Sequence, residues 1–138
     1  MTALQRIRDA LAGLTITTLP GVPVVTTEEA AFANSVTRAV VISPLDAQPV
    51  NGYPMSKHAV EQPFSIALIA RGSDPVAMIE LMDSALFAVI SDSPQLGDAV
   101  RWQWLGDRWE HSQMSDANYA IKRVVWQATY LTERGRRI

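Results

Sequence analysis

The sequence of 138 residues contains no cysteine. This absence excludes disulfides, thiolate nucleophiles and cysteine-ligated zinc, and it fits a reducing compartment. Long hydrophobic runs are also missing, since no stretch approaches the roughly 18 apolar residues that a transmembrane helix needs. The segment MTALQRIRDALAGL is interrupted by Arg6, Arg8 and Asp9, so we expect neither a signal peptide nor a membrane span there. We therefore expect a soluble, intracellular protein.

The chain also lacks an excess of positive charge. The formal net charge is −2, whereas a protein that coats nucleic acid needs a basic face to neutralise phosphates. Hydrophobic residues make up 48% of the chain and charged residues 19%, which is typical of a globular protein and not of a disordered one. At this length we expect one domain spanning residues 1–138.

Histidine is scarce, and no motif names a reaction. His58 lies in a proline-rich stretch, and His111 lies near Glu110, Asp107 and Asp116 without the HxH or HExxH spacing of a metal site. Exposed carboxylates near turns explain that cluster better. The GxSxG motif of serine hydrolases is absent as well. We therefore predict no catalytic residues, no metal site and no cofactor.

The stretch ARGSDPVAM at 70–78 has a glycine and a serine before a helical pattern, as a phosphate-binding loop has. It lacks the lysine and the second glycine of a P-loop, and Asp74 would repel a phosphate. Aspartate is a favoured N-cap residue, and Pro75 suits the first helical position because its missing N–H is not needed there. The stretch therefore predicts a junction from a strand to a helix.

Two amphipathic helices are predicted. The first begins with the capping-box pattern Thr2-Ala-Leu-Gln5 and has an apolar face at helical spacing, with Gly13 as its C-terminal cap. The second begins at Pro75 and ends before Ser93-Pro94.

Alternation and turn residues predict the strands. We expect them at 22–26, 36–43, 64–70, 100–105 and 121–132, with a break at Gly106-Asp107, a possible hairpin partner at 108–110 and one or two helical turns at 28–34. Residues 44–63 contain four prolines, which predicts a long flexible loop without regular pairing. Residues 133–138 form a basic tail that we expect to fray.

This order predicts an α+β fold. Hairpin-like neighbours dominate, and two amphipathic helices need one surface to cover. The simplest solution is a two-layer sandwich, in which a mostly antiparallel (mixed) β-sheet carries both main helices on one face.

The second helix is more apolar than a surface helix needs to be. Its stripe of Val76, Ile79, Met82, Leu86 and Val89 is widened by further apolar residues, and Phe87 lies on the otherwise polar side. Such a helix is either deeply buried or shared with another subunit. Tryptophan is enriched at interface centres, and all four tryptophans lie between residues 102 and 126. The candidate interface residues are Phe87, Trp102, Trp104 and Trp109.

The whole pattern resembles the tail-terminator (minor tail) proteins of long-tailed bacteriophages and prophages. The resembling parts are the opening helix, the strand VTRAVVIS with its proline-rich excursion, the unit PFSIALIARGSDPVAMIELMDSALFAVI, and the closing strands LGDAVRWQWLGDRWEH and YAIKRVVWQATYLT. The resemblance covers most of the chain and rests on the order of elements, with no catalytic residues to transfer.

The resemblance implies a virion protein that is assembled in the host bacterial cytoplasm. It implies a homo-oligomeric ring, usually a hexamer, on the head-proximal end of the tail tube. The ring's partners would be the tail tube protein and a head-completion (connector) protein, and DNA would pass through its pore without specific binding. The loop at 44–63 would become ordered on assembly.

Three other functions stay open at this point. One is head–tail joining or another phage structural role, since such proteins share small α+β folds. Another is a small-molecule-binding regulatory domain, which predicts a pocket beneath the helices. The last is an enzyme whose site is assembled from distant acids and His111.

Overall fold

The computed structural model describes residues 2–25, 27, 37–50, 57–114 and 117–133. In these ranges the chain forms two α-helices, six β-strands and a 3₁₀ turn at Leu96–Asp98. The helices are α1 (Ala3–Thr18) and α2 (Pro75–Ser91). The strands are β1 (Val24–Val25), β2 (Arg38–Pro44), β3 (Gln48–Val50), β4 (Lys57–Arg71), β5 (Arg101–Met114) and β6 (Ala117–Glu133).

The strands form one sheet in the order β1-β2-β4-β6-β5, and β3 pairs with β4. The long strands β4 and β6 are paired along their whole shared length, from Lys57 opposite Glu133 to Arg71 opposite Tyr119. β1 is parallel to β2, and every other pairing described is antiparallel. The predicted α+β fold with a mostly antiparallel sheet is confirmed.

Both helices cover the same face of this sheet. Alternation places Phe64, Leu68 and Val124 on that face, where they are buried in one cluster with Ile7 of α1 and Met82 of α2. The opposite face has a smaller buried cluster, which consists of Ala39, Val41, Ala67, Ile69 and Ile121. The larger cluster is the core on which the rest of the fold depends.

The helix α1 begins as predicted and ends later than predicted. Its capping box is formed, since the Gln5 backbone N–H donates to Thr2 Oγ1 at 3.1 Å and the Thr2 N–H donates to Gln5 Oε1 at 2.9 Å. The prediction that Gly13 caps the C-terminus is wrong, because the helix continues to Thr18. Its last turn contains threonine hydroxyls that donate to carbonyls four residues earlier, such as Thr15 to Leu11 at 2.8 Å, so the β-branched residues are accommodated.

The helix α2 has the predicted boundaries. The Asp74 carboxylate accepts a hydrogen bond from the Ala77 N–H at 3.2 Å, Pro75 opens the first turn, and the helix ends at Ser91. Its buried residues are Ile79, Met82, Leu86 and Ile90. ARGSDPVAM is therefore a capped junction between β4 and α2.

The prediction that residues 44–63 lack regular pairing is wrong for the described part of that stretch. β3 pairs residues 48–50 with residues 59–61, and β4 begins at Lys57. Pro63 is tolerated inside β4 because it lies where the neighbour of β4 changes from β3 to β2. Its carbonyl accepts from the Leu45 N–H at 2.9 Å, and the missing N–H of the proline is not needed there. Residues 51–56, the predicted turns at 28–34 and the tail beyond Glu133 lie outside the described residues.

The predicted break at Gly106-Asp107 is also wrong. β5 is one continuous strand, paired with β6 from Arg101 to Met114, and it contains a β-bulge between Trp104 and Gly106. Gly106 has a φ of +143°, which a residue with a side chain rarely adopts. Because the bulge adds one residue, alternation changes phase there. Trp102, Trp104 and Trp109 consequently all lie on the helix-bearing face.

Candidate functional site

Phe87 and Trp104 form an exposed aromatic pair between α2 and β5. Their ring centroids are 5.9 Å apart at an interplanar angle of 69°, an edge-to-face contact. Phe87 also lies 5.2 Å from the ring of Trp126, which is buried in the core. Phe87 is nevertheless 42% exposed and Trp104 44% exposed. The core thus fixes the position of two large apolar side chains that remain open to contact.

The other two candidate residues, Trp102 and Trp109, make most of their contacts within the chain. The Trp102 indole N–H donates to the Leu96 carbonyl at 2.9 Å, and its ring lies 5.8 Å from the ring of Phe64. Trp109 lies under the ammonium of Lys122, 5.1 Å from the ring centroid. Both rings are partly buried. The structure thus brings all four candidates to one side of β5, and it leaves Phe87 and Trp104 the more exposed.

Lys122 joins the two elements that carry the aromatic pair. Its side chain is only 9% exposed, and its Nζ lies 2.6 Å from Asp83 Oδ2 on α2 and 3.8 Å from Asp107 Oδ2 on β5. Burial acts to lower the pKa of Lys122, but the hydrogen bond and charge of Asp83, with the charges of Asp107 and Glu80, outweigh it and leave the pKa raised. Lys122 is therefore charged at neutral pH, and it links α2 to the bulged strand.

The outer face of α2 is exposed and carries little charge. It consists of Ala77, Glu80, Leu81, Ser84 and Ala88, all of which are exposed. Leu81 is 75% exposed, the largest value among the large apolar side chains described as exposed. Most of the apolar stripe of this helix is buried within the chain, as Ile79, Met82, Leu86 and Ile90 are. The large apolar side chains of the helix that stay exposed are Val76, Leu81 and Phe87.

A groove of about 660 Å³ lies on the opposite side of the molecule, where the bulge opens the face of the sheet that bears no helix. We call it the bulge groove. The residues that line it are Leu45, Ser65, Leu105, Gly106, Asp107, Arg108, Arg123 and Val125. Leu45 and Leu105 are exposed. The groove therefore has apolar walls with arginines beside them.

Glu110 holds the two arginines of the bulge groove in place. Arg123 donates to it through Nε at 3.0 Å and Nη2 at 3.2 Å, and Arg108 donates through Nη2 at 2.9 Å. The pKa of Glu110 is lowered, mainly by the hydrogen bond from Arg123. Burial acts to raise it, and the positive charges of Arg123 and Arg108 lower it further. Glu110 is thus a carboxylate throughout the neutral range, and the arginines are oriented by it.

The described residues contain no group of three or more histidine, cysteine or acidic side chains placed to hold a metal. No helix in the described ranges is long and apolar enough to cross a membrane. The side chains of His58 and His111 and the whole of Asp116 lie outside what the structure describes. The absence of catalytic chemistry therefore stays a prediction.

Among solved structures, 32 chains match this fold. One belongs to a structure described as "Virion of native gene transfer agent (GTA) particle". It matches with a TM-score of 0.61 and 15% sequence identity, over 95% of this chain and 92% of that chain. The likeness shows a shared fold along nearly the whole of both chains. The sequence matches no protein-family model and no curated protein.

Sequence reasoning missed Lys122 and the bulge groove. Lys122 did leave a signal, because it alternates with Val124 and Trp126 and so falls on an otherwise apolar strand face. A charged residue at such a position implies a buried partner. The only sequence signal of the groove is Gly106, which predicts a strand break but forms a β-bulge.

Proposed function

We propose that this chain is a structural protein of a phage-like virion, and specifically a tail terminator. In that role it forms a ring, usually a hexamer, on the head-proximal end of the tail tube. The ring stops tube polymerisation and offers a surface to a head-completion protein. The observation that carries the proposal is the fold shared along 92% of a chain of a gene transfer agent virion.

The surface of the chain supports a role in assembly over a role in catalysis. The exposed aromatic pair and the exposed outer face of α2 are features of subunits that bury more surface on assembly. A regulatory domain predicts a pocket beneath the helices, whereas the described groove lies on the face without helices. The charged side chains Arg108 and Arg123 at the groove already form ion pairs with Glu110.

Particle morphology distinguishes the terminator from other phage structural proteins. In the particle-producing cell that encodes this chain, deletion of its gene is expected to give overlong tail tubes in electron micrographs, because tube growth is no longer stopped. Tailless heads beside tails of normal length would instead assign the chain to head–tail joining. Particles of normal morphology would contradict both roles.

The aromatic pair is the proposed self-contact of the ring. Phe87→Asp is expected to convert the ring to a folded monomer in size-exclusion chromatography with light scattering at two protein concentrations. The reason is that a carboxylate would be buried against an apolar partner without compensation. Ile16→Asp is the matched control, since Ile16 is 57% exposed on α1 and lies outside the pair.

A second variant guards against a folding defect at Phe87, which also contacts Trp126. Trp104→Gln removes the exposed ring at the other side of the pair, and it is expected to weaken the ring in the same way. A wild-type elution profile for both variants would remove the pair from the interface. Thermal unfolding and near-ultraviolet circular dichroism report whether each variant is folded.

A further inference from the structure

We propose that Asp83 and Lys122 are positioning residues, which hold Phe87 and Trp104 in one arrangement for the ring contact. The inference assigns a role to a buried charge that the contact itself does not use. It rests on the proposed function only where association is measured, because the arrangement of the two rings can be observed in a single copy of the chain.

The ion pair and the aromatic contacts form two rows across the same elements. On α2, Asp83 and Phe87 are four residues apart and therefore lie on one side of the helix. On β6, Lys122 and Trp126 are also four residues apart, and both lie on the helix-bearing face. The polar row joins Asp83 to Lys122, and the aromatic row joins Phe87 to Trp126. The position of α2 along β6 is thus set at two points.

Both rows continue onto β5. Lys122 is paired with Trp109 in the sheet, and its Nζ lies 5.1 Å from the centroid of that ring. Trp126 is paired with Trp104 in the same way. The polar row also contacts Asp107, whose Oδ2 lies 3.8 Å from the Lys122 Nζ and which directly follows the bulge. The polar row is therefore fixed beside the feature that sets Trp104 on this face.

The polar row has a directional bond, whereas the packing of α2 on the sheet is apolar. The buried stripe of α2 gains from contact in any closely packed position, because the hydrophobic effect has no preferred direction. The Lys122 ammonium donates to Asp83 at 2.6 Å, and a charge-assisted hydrogen bond has a preferred length and angle. A shift of α2 along β6 would leave the Asp83 carboxylate, only 18% exposed, without this partner. The row therefore resists movements that separate Phe87 from Trp104.

A positioning role explains the pair better than stability alone. A buried ion pair is a weak source of stability, because desolvation offsets its attraction and apolar residues of similar size often serve as well. The rings of Phe87 and Trp104 do need a restraint, since large parts of both have no neighbour within the chain. A side chain that is fixed before contact loses less conformational entropy on association.

The test replaces the ion pair with apolar side chains of similar size. The double variant Asp83→Leu/Lys122→Met is expected to remain folded, because it leaves neither charge of the pair behind. The chain is labelled with fluorinated tryptophan, and the fluorine NMR resonance of Trp104 is assigned by its loss in Trp104→Gln. In the double variant this resonance is expected to move toward its position in the unfolded chain or to split, because the ring adopts more than one arrangement.

The spectra compare chains in the same assembly state. Both are recorded on the monomer, which is obtained by dilution or, for a ring that persists, by urea below the unfolding transition. Trp102 is the internal control, since its indole donates to the Leu96 carbonyl and its ring contacts Phe64. Its resonance is expected to stay single and unshifted in the same sample.

A second variant keeps the test decisive if the double variant does not fold. Asp83→Asn keeps the shape of the side chain and removes its charge, and it is expected to change the Trp104 resonance in the same direction. A wild-type Trp104 resonance in the folded double variant would overturn the inference. Where only Asp83→Asn is folded, a wild-type resonance in that variant would do so.

Association is measured separately, by light scattering at several concentrations. The double variant is expected to associate about tenfold more weakly than the wild type, because two side chains must then be ordered on contact. Arg108→Met removes an exposed ion pair with Glu110, and it is expected to leave both association and the Trp104 resonance unchanged. A changed resonance with unchanged association would support the positioning role and remove the aromatic pair from the ring contact. The two proposals therefore fail separately.

Discussion

Gly97→Ala is expected to lower the free energy of unfolding by about 3 kcal/mol. A Cβ at this position would lie 2.8 Å from the backbone Cα of Ile7, closer than real Cβ contacts allow, and 3.2 Å from Ala10 Cβ, a tight contact. The φ of +70° adds a second cost. A left-handed conformation costs an L-residue about 1–2 kcal/mol, and overpacking costs about 1–3 kcal/mol. Chemical denaturation followed by circular dichroism measures the sum.

Two other glycines separate these costs. Gly21 has a φ of +80° and no neighbour within 4 Å of an added Cβ, so Gly21→Ala should show the conformational cost alone, about 1–2 kcal/mol. Gly13 lies inside α1 with open space around it, and Gly13→Ala should stabilise the chain by about 0.5–1 kcal/mol. Equal losses for Gly97→Ala and Gly21→Ala would show that the close approach to α1 carries no penalty.

The contact at Gly97 matters for the candidate site because it positions β5. The 3₁₀ turn packs on α1 through Gly97, and Leu96 in the same turn accepts the hydrogen bond of the Trp102 indole. The turn thus connects α1 to the strand that carries Trp104 and the bulge. In sequence, Leu96-Gly97-Asp98 has the composition of a polar link between a helix and a strand. Its partner Ile7 lies in α1, far from Gly97 in the sequence, so no local sequence pattern could indicate this contact.

The features that were predicted correctly depend on local chemistry. The capping box at Thr2, the Asp74-Pro75 junction and the alternation of the sheet strands each arise within a few residues. The predictions that were wrong concern how an element packs or pairs with the rest of the fold. Gly13 does not end α1, Pro63 is accommodated at a change of neighbouring strand, and Gly106 marks a bulge. Each of these depends on a partner distant in sequence.

The candidate site was likewise predictable only where local sequence decides the position of a residue. Phe87 was found from its place on the polar side of a helix, and the structure leaves it exposed beside Trp104. Trp102 and Trp109 have the same residue type as Trp104, and sequence could not show which rings the core would take up. That distinction follows from the bulge, which sets all three on one face, and from the core, which covers two of them in part.

Lys122→Met is the second change with a large expected effect, a loss of about 2–4 kcal/mol in the free energy of unfolding. It leaves the Asp83 carboxylate, only 18% exposed, without the ammonium that lies 2.6 Å away. Removing one partner of a buried pair costs more than the pair contributes, because the remaining charge is desolvated and unpaired. Arg108→Met is the control: its exposed pair with Glu110 should change stability by no more than about 1 kcal/mol.

The double variant Asp83→Leu/Lys122→Met decides whether that loss comes from an unpaired charge. Two apolar side chains of similar size leave no buried carboxylate at Asp83, so the double variant is expected to recover most of the stability lost in Lys122→Met. A double variant as unstable as the sum of its single variants would mean that the two residues act independently. The loss would then come from packing against Trp109.

The pH dependence of the same variant checks the electrostatic origin. The raised pKa of Lys122 means that the folded state holds this proton more tightly than the unfolded chain does. The contribution is therefore complete at neutral pH, and it is lost as pH rises beyond the ordinary lysine value of about 10.4 and through the raised value. The difference in stability between wild type and Lys122→Met should shrink only in that alkaline range. A difference that stays constant from pH 7 to pH 11 would leave the ion pair without a role in holding α2 beside the aromatic pair.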